Sequence, residues 1–153
     1  MSEEPSRAIT LIALFRQTAG LMVDELVERL HAAGYEDHTA AHHPVFENID
    51  PDGTRLTVLA RRTGMTHQAM GELVDYLERR GYLERRADPS DGRARLVHLT
   101  RKGREAVRTA INEIAQIEAE WLERFNRAGF DVDLRAMLES GLREREAARR
   151  TTS

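Results

Sequence analysis

The sequence contains no cysteine and few aromatic residues. Without cysteine, the chain has no disulfide bond, no thiolate nucleophile and no cysteine-based redox sensor. Aromatic residues account for 5% of the 153 residues, hydrophobic residues for 41% and charged residues for 32%. This composition supports one aliphatic core and is typical of a helical protein whose outer faces are solvated.

Long apolar runs and catalytic signatures are also absent. The longest apolar run, Ile9 to Phe15 with Thr10 inside it, is too short to cross a membrane. Glu3 and Glu4 stand where a secretory signal would have basic residues. The sequence has no nucleophile elbow, Walker loop or dinucleotide-binding glycine motif. We therefore expect a cytoplasmic protein that is not an enzyme and carries no cofactor.

The net charge of −3 conceals an uneven distribution of charge along the chain. From Thr54 to Arg104 there are 12 Lys or Arg residues against 6 Asp or Glu residues, a balance of +6. The remaining residues include 11 basic and 20 acidic ones, a balance of −9. A concentrated basic segment is typical of a nucleic-acid-binding surface, although charge also varies along any chain.

Both ends of the chain are predicted to form amphipathic helices. One covers residues 7–33, another is capped by Thr100 and runs to about residue 127, and the last covers residues 132–147. In the first helix, apolar residues recur at three- and four-residue spacing: Leu11, Leu14, Phe15, Met22, Leu26 and Leu30. Each stripe needs a partner surface, so we expect the terminal helices to build a two-fold homodimer.

The segment between these ends begins with two shorter helices. Thr54 is expected to cap a helix over residues 55–62, and Thr66 to cap a longer one that ends near Arg80. A left-handed Gly64 would form the turn between them. Two helices in this order are typical of a helix-turn-helix, whose second helix enters the major groove of DNA. An ordinary helical hairpin with a solvated polar face would give the same spacing.

The outer face of the second helix carries candidates for reading DNA bases. They lie in its first turns: Thr66, His67, Gln68 and Gly71. The amide of Gln68 can bind N6 and N7 of adenine in a bidentate manner. Four arginines are candidates for neutralising phosphates: Arg61, Arg62, Arg79 and Arg80.

A basic hairpin follows the second helix. Strands over residues 82–86 and 96–99 flank the turn-rich sequence ADPSDGRAR. Arg93 and Arg95 lie at or beside its tip, and guanidinium groups favour the negative potential of a narrow minor groove. Asp91 is expected to hold the Arg93 guanidinium by a charge-assisted hydrogen bond. The alternative is an ordinary surface ion pair of about 0–1 kcal/mol.

With both helices and the hairpin, the stretch from residue 55 to residue 106 resembles the MarR family of winged helix-turn-helix regulators. The matching features are LA at 59–60, ELVDYLERRGYLER at 72–85, DPSDGR at 88–93, and LT at 99–100 with Gly103 three positions on. The resemblance implies a mainly α fold with a small β-hairpin wing (α+β).

It also implies three regions and a set of partners. Residues 1–53 and 101–153 would form dimerisation helices, the former with a ligand pocket, around a DNA-binding region at 54–100. The partners would be a second copy of the chain, a pseudo-palindromic double-stranded operator and a small-molecule effector. The regulator could be a repressor or an activator.

On this chain, the resemblance makes Thr66 to Arg79 the reading helix and Arg85 to Leu96 the wing. Asp91 and Arg93 match the family's Asp-x-Arg pair in the wing. Gly71 and Glu72 depart from the family, which often has Ser or Thr and a basic residue there. Glu72 could accept a hydrogen bond from cytosine N4, but it would repel phosphates.

A histidine cluster gives the alternative function of a metal-responsive or metal-binding protein. A helix is predicted over residues 38–47, with a kink or a late start at Pro44. His38 and His42 would share one face of it, beside His43. Two imidazoles at this spacing can bind Zn²⁺ if a further ligand is supplied. Polar helix residues or pocket-lining residues would give the same pattern.

Overall fold

The part of the chain described by this computed structural model, residues 9–151, contains six α-helices and three β-strands. The helices are α1 (Leu11–Ala32), α2 (His43–Glu47), α3 (Leu56–Thr63), α4 (His67–Arg79), α5 (Arg101–Arg127) and α6 (Leu134–Thr151). The strands are β1 (Thr54–Arg55), β2 (Leu83–Asp88) and β3 (Asp91–Leu99), and a 3-10 helix spans Ala40–His42. The mainly helical fold with a small hairpin is thus confirmed.

The chain divides into two compact units. The first extends to Ile114 and contains α1 to α4, the three strands and the beginning of α5. The second starts at Ala115 and contains the rest of α5 and α6. None of the helices within residues 9–151 has the length and the apolar composition that a membrane crossing requires.

Helix α1 is defined by a cap at each end. The hydroxyl of Thr10 accepts a hydrogen bond from Ala13 N at 3.2 Å, so α1 begins at Leu11. Gly34, with φ 95°, follows its last turn. The predicted start of this helix at residue 7 lies outside the described residues. Only the C-terminal half of its apolar stripe is buried, with Leu26 and Leu30 in the interior.

The second helix is shorter than predicted because of Pro44. Proline lacks a backbone N–H, so it fits the first turn of a helix better than the middle of one. Accordingly α2 starts at His43, with Pro44 in its first turn. The 3-10 helix Ala40–His42 precedes it. The late start is confirmed, and residues 38–39 lie outside both helices.

The predicted capping role of Thr54 is wrong. Thr54 pairs with Val97 in strand β1, and α3 begins two residues later, after Arg55. The Thr54 hydroxyl instead accepts from Asp50 N at 2.8 Å and donates to an Asp50 carboxylate oxygen at 3.1 Å. Gly64 ends α3 with φ 69°, as predicted.

The three strands form an antiparallel sheet in the order β1-β3-β2. Strands β2 and β3 extend further toward the tip than predicted, so that only Pro89 and Ser90 connect them. Near the tip, Ala87 pairs with Arg95 while its neighbour Asp88 pairs with Asp91. Three residues of β3 therefore bulge out, and such bulges redirect side chains.

The core of the first unit lies between this sheet and helices α2 to α5. Met70, Val74 and Leu77 of α4 are fully buried there, together with Tyr82 just after the helix. The other members come from the neighbouring helices and strands: Val45, Leu59, Ala60, Leu83, Val97 and Ala106. Ala69, in the first turn of α4, is exposed.

Candidate nucleic-acid interface

Helix α4 presents its first turns to solvent. The Thr66 hydroxyl accepts from Ala69 N at 3.1 Å and so caps the helix, as predicted. Thr66, His67 and Gln68 are exposed, and Gly71 is half-buried. The oxygen of Thr66 is therefore engaged in the fold, while its O–H hydrogen can still be donated outward.

A polar stripe runs along α4 from these turns to its other end. Gln68, Glu72, Asp75 and Arg79 are separated by four, three and four residues, which puts them on one face of a helix. The Gln68 amide donates to a carboxylate oxygen of Glu72 at 3.2 Å. At 1.5 Å per residue, Arg79 lies roughly 16 Å along the axis from Gln68, so the two would meet different parts of a DNA site.

Two acidic residues of α4 are neutralised by one arginine of the hairpin. The Arg85 guanidinium donates to Asp75 at 2.6 Å and also binds Glu78. The Arg85 backbone N–H donates to Glu78 at 3.1 Å. Burial alone would lower the pKa of Arg85, but these two carboxylates raise it overall. Strand β2 is thereby tied to α4, and the acidic charge on the stripe is reduced.

The hairpin turn is organised around the carboxylate of Asp88. One oxygen accepts from Ser90 N at 2.8 Å and from the Ser90 hydroxyl at 2.6 Å. The other accepts from Arg55 Nε at 2.8 Å and from its Nη2 at 2.5 Å. The bonds from Ser90 and then those from Arg55 lower the pKa of Asp88 to about 2. The turn is therefore held by hydrogen bonds within the turn and by hydrogen bonds to strand β1.

The predicted side-chain pair between Asp91 and Arg93 is not formed. Asp91 accepts from the backbone N–H of Arg93 at 3.2 Å, and its other oxygen lies 3.6 Å from Arg55 Nη2. Arg93 lies in the bulge of β3, so its guanidinium is exposed instead of folded back onto Asp91.

The predicted phosphate-binding arginines fall into two groups. Arg62 is paired with Asp50 at 2.9 Å, and Arg80 with Asp37 at 2.9 Å. By contrast, the structure gives no carboxylate partner within residues 9–151 to these exposed arginines of α3, α4 and the hairpin: Arg61, Arg79, Arg93 and Arg95. The second group can bind phosphate without first breaking an ion pair.

Sequence reasoning missed the structural roles of Arg55, Arg85 and Asp88. An Asp followed by Pro-Ser is a recognisable turn signal, because the carboxylate can accept from the backbone N–H two residues on. That signal pointed to Asp88. Its partner Arg55 lies on a distant strand, and no local pattern identifies it.

The histidine cluster does not form a metal site. Among the described residues, no group of three or more His, Cys, Asp or Glu side chains is placed to hold a metal ion. His42 Nδ1 accepts from Thr39 N at 3.1 Å, and its ring stacks on Tyr76 with centroids 4.8 Å apart. His43 lies 3.3 Å from Glu47. His38 precedes the helix, so the shared helical face expected of His38 and His42 is wrong.

Burial holds two of these imidazoles in their neutral form. Desolvation, followed by the neighbouring charges of His42, His43 and His31, lowers the pKa of His38 to about 4. Desolvation also lowers the pKa of His42. His38 packs beside Phe46, with ring centroids 5.2 Å apart. The cluster is thus part of the aromatic packing under α4.

A helix-turn-helix, a basic hairpin with exposed arginines and a third short strand together define the winged-helix class of folds. A family model described as MarR family matches residues 37–94, which include α2 to α4, β1, β2 and the hairpin turn. No curated protein matches the chain by sequence.

Solved structures extend the similarity over nearly the whole chain. One is the PcaV regulator of Streptomyces coelicolor with its natural ligand, at 24% identity and TM-score 0.65, covering 97% of this chain and 99% of that one. Apo MarR from E. coli matches at 24% identity with a TM-score of 0.68, and the match covers 90% of this chain and 98% of that one. The MepR structure from S. aureus, a complex with DNA, matches at 19% identity with a TM-score of 0.67, and the match covers 91% of this chain and 98% of that one. The chain is thus similar to MarR-family regulators: residues 37–94 match the family model, and the three solved structures show the same fold.

Proposed function

We propose that this protein is a homodimeric transcriptional regulator that binds a pseudo-palindromic DNA operator. In this mechanism each protomer inserts the first turns of α4 into a major groove. Thr66, His67, Gln68 and Gly71 face the base edges there, and the two reading helices are about 34 Å apart. The wing carries Arg93 and Arg95 to the neighbouring minor groove, with Asp91 supporting the Arg93 backbone.

The observation that carries this proposal is that some arginines of the first unit are paired with carboxylates while others are not. The guanidinium groups of Arg62 and Arg80 are paired with the carboxylates of Asp50 and Asp37. Arg93 and Arg95 extend from the rigid hairpin with no such partner among residues 9–151, as does Arg79 at the end of the reading helix. Unpaired cations beside an exposed polar helix suit a polyanion, and a catalytic role would need none of this arrangement.

Unburied apolar residues support the dimer. In α1, Leu11, Ile12 and Phe15 are more than half exposed, with Ile12 at 81%. In α6, Met137 and Leu142 are also more than half exposed. Exposed stripes at helical spacing are costly in water and mark surfaces that a partner covers. A second copy of the chain supplies the same stripes through a two-fold axis.

A small-molecule effector is the remaining part of the proposal. PcaV is similar to this chain over most of its length and has been solved with its natural ligand, as CouR has with p-coumaroyl-CoA. An effector that binds the free dimer more tightly than the DNA-bound dimer would release the operator.

The test is a DNA-binding titration across salt concentrations. The protein should prefer a palindrome selected from a random pool over a random duplex, and log K should fall steeply with log salt. Arg93→Ala and Arg95→Ala should each make that slope shallower. Arg62→Ala removes the same charge from an arginine already paired with Asp50, so its slope should change less. A flat slope, or equal binding to all duplexes, would reject the proposal.

A further inference from the structure

The side chains of Gln68 and Glu72 form a defined pair on the reading helix. Gln68 Nε2 donates to Glu72 Oε1 at 3.2 Å, across one helical turn, and both side chains are exposed. A glutamine amide can normally turn over, which exchanges its donor and acceptor ends. A carboxylate can only accept hydrogen bonds, so the NH₂ end of Gln68 must face Glu72.

We infer that Glu72 is a specificity-determining residue that holds Gln68 in the orientation that reads adenine, an inference that rests on the proposed DNA binding. One amide hydrogen is used by Glu72, which leaves one N–H donor and the carbonyl acceptor. Adenine offers the complementary pair in the major groove, the N7 acceptor and the N6 donor. Guanine offers two acceptors, O6 and N7, so the carbonyl of Gln68 would face an acceptor and be repelled.

Gly71 gives independent support for a close approach of DNA to α4 beside Gln68. Its φ lies outside the left-handed region, and a Cβ built on it would meet only Leu56 Cδ2, at 3.8 Å, an ordinary contact. The fold therefore accepts a larger residue there, although glycine is a poor helix former. A missing side chain beside Gln68, one turn further along α4, leaves room for a base edge or a sugar to reach the helix backbone.

A second effect of Glu72 has to be separated from the first. Its negative charge repels phosphates, which would weaken binding to every DNA sequence alike. Positioning of Gln68 acts only at one base pair in each half-site, because only there does the amide meet a base. The two effects therefore differ in whether the discrimination between bases changes.

The experiment uses the full-length protein and duplexes selected from a random pool. Each adenine of the selected half-site is replaced in turn by 7-deazaadenine, which lacks the N7 acceptor. We expect one position at which this replacement weakens wild-type binding about fivefold or more. Gln68→Ala should lose this sensitivity. Glu72→Ala should lose most of it, whereas Glu72→Gln should keep it, since an amide oxygen can accept the same hydrogen.

The contrary results are distinct. If Glu72→Ala and Glu72→Gln both tighten binding equally on all duplexes and keep the sensitivity to 7-deazaadenine, Glu72 acts only as a charge and the inference is wrong. It is also wrong if the wild type prefers its palindrome but no adenine position responds, or if Glu72→Gln loses the sensitivity as fully as Glu72→Ala does. If the wild type shows no salt-dependent DNA binding at all, the proposed function itself fails.

Discussion

His38 shows how one buried side chain links the packing of this fold to pH. Its side chain is 5% exposed, and its Nδ1 has no hydrogen-bond partner among the described residues. The environment therefore stabilises the neutral imidazole, and its pKa falls from 6.5 to about 4. In the unfolded chain the same imidazole is hydrated and is protonated near its ordinary value.

This difference predicts a pH dependence of stability. Between about pH 6.5 and 4 the unfolded state takes up a proton at His38 that the folded state does not. The contribution of His38 to the free energy of unfolding should therefore be greatest above about pH 6.5 and should decline as the pH falls toward 4. Below about pH 4 this group should cause no further change. His38→Phe should make the decline shallower, as measured by urea denaturation at a series of pH values.

The control for this prediction is His67→Gln, which removes an exposed imidazole at the start of α4. It should leave the decline unchanged. His42 is also shifted to a lower pKa, so His38→Phe should reduce the slope without abolishing it. Parallel curves for the wild type and His38→Phe would show that folding does not lower the pKa of His38.

At the scale of helices and strands, the sequence pattern was sufficient to predict a helix end where neighbouring residues decide that end. The hydroxyls of Thr66 and Thr100 accept from backbone N–H groups three residues on, and both caps were predicted. Gly64 ends α3 in a left-handed conformation, also as predicted. In each case the residue that decides the boundary lies within one turn of it.

Predictions failed where a distant segment decides the conformation. Thr54 pairs with Val97 in the sheet, and this long-range pairing takes the place of the expected cap. Arg55 competes for the carboxylates of the hairpin, so Asp91 does not hold the guanidinium of Arg93. The exposed face of α4 followed from periodicity, but whether its residues bind DNA stays a prediction.

Two glycines in helices should respond oppositely to substitution by alanine. At Gly71 a Cβ has room, so Gly71→Ala should stabilise the first unit by about 0.5–1 kcal/mol through helix propensity. At Gly103 a Cβ would lie 2.2 Å from the carbonyl oxygen of Tyr82. Gly103→Ala should therefore destabilise the protein, because the start of α5 must move away from the backbone of Tyr82, just before β2.

Urea denaturation of the two variants and the wild type measures both changes in the free energy of unfolding, the expected increase and the expected decrease, in one experiment. Each variant serves as the control for the other, since both replace glycine by alanine in a helix. A loss of stability in Gly71→Ala would mean that the fold itself needs the glycine. Its proposed role in approach to DNA would then lose its support.

At the scale of the whole molecule, the decisive feature is apolar surface that the protomer leaves in water. The stripe on α1 was predicted to be one continuous face, yet Leu26 and Leu30 are buried while Leu11 and Phe15 are exposed. The sequence pattern cannot separate these two halves, because intramolecular and intermolecular packing use the same spacing. The fold divides them, and only the exposed half is available to a second copy.

Ile12→Glu tests that division. Ile12 is the most exposed of the large apolar residues of α1, so a charge there should not disturb the folded protomer. In a two-fold interface it removes two isoleucine contacts of about 1.5–3 kcal/mol each, which would raise the dimer dissociation constant by roughly two to four orders of magnitude. Analytical ultracentrifugation over a range of concentrations measures that shift.

Gln17→Glu is the matched control, because it adds the same charge to an exposed polar position of the same helix. It should leave the dissociation constant near the wild-type value. If Ile12→Glu dimerises as tightly as the wild type, the exposed half of α1 does not form the interface. Since a palindrome is read by two linked helices, the monomeric variant should also lose its preference for the palindrome while each protomer keeps its folded reading helix.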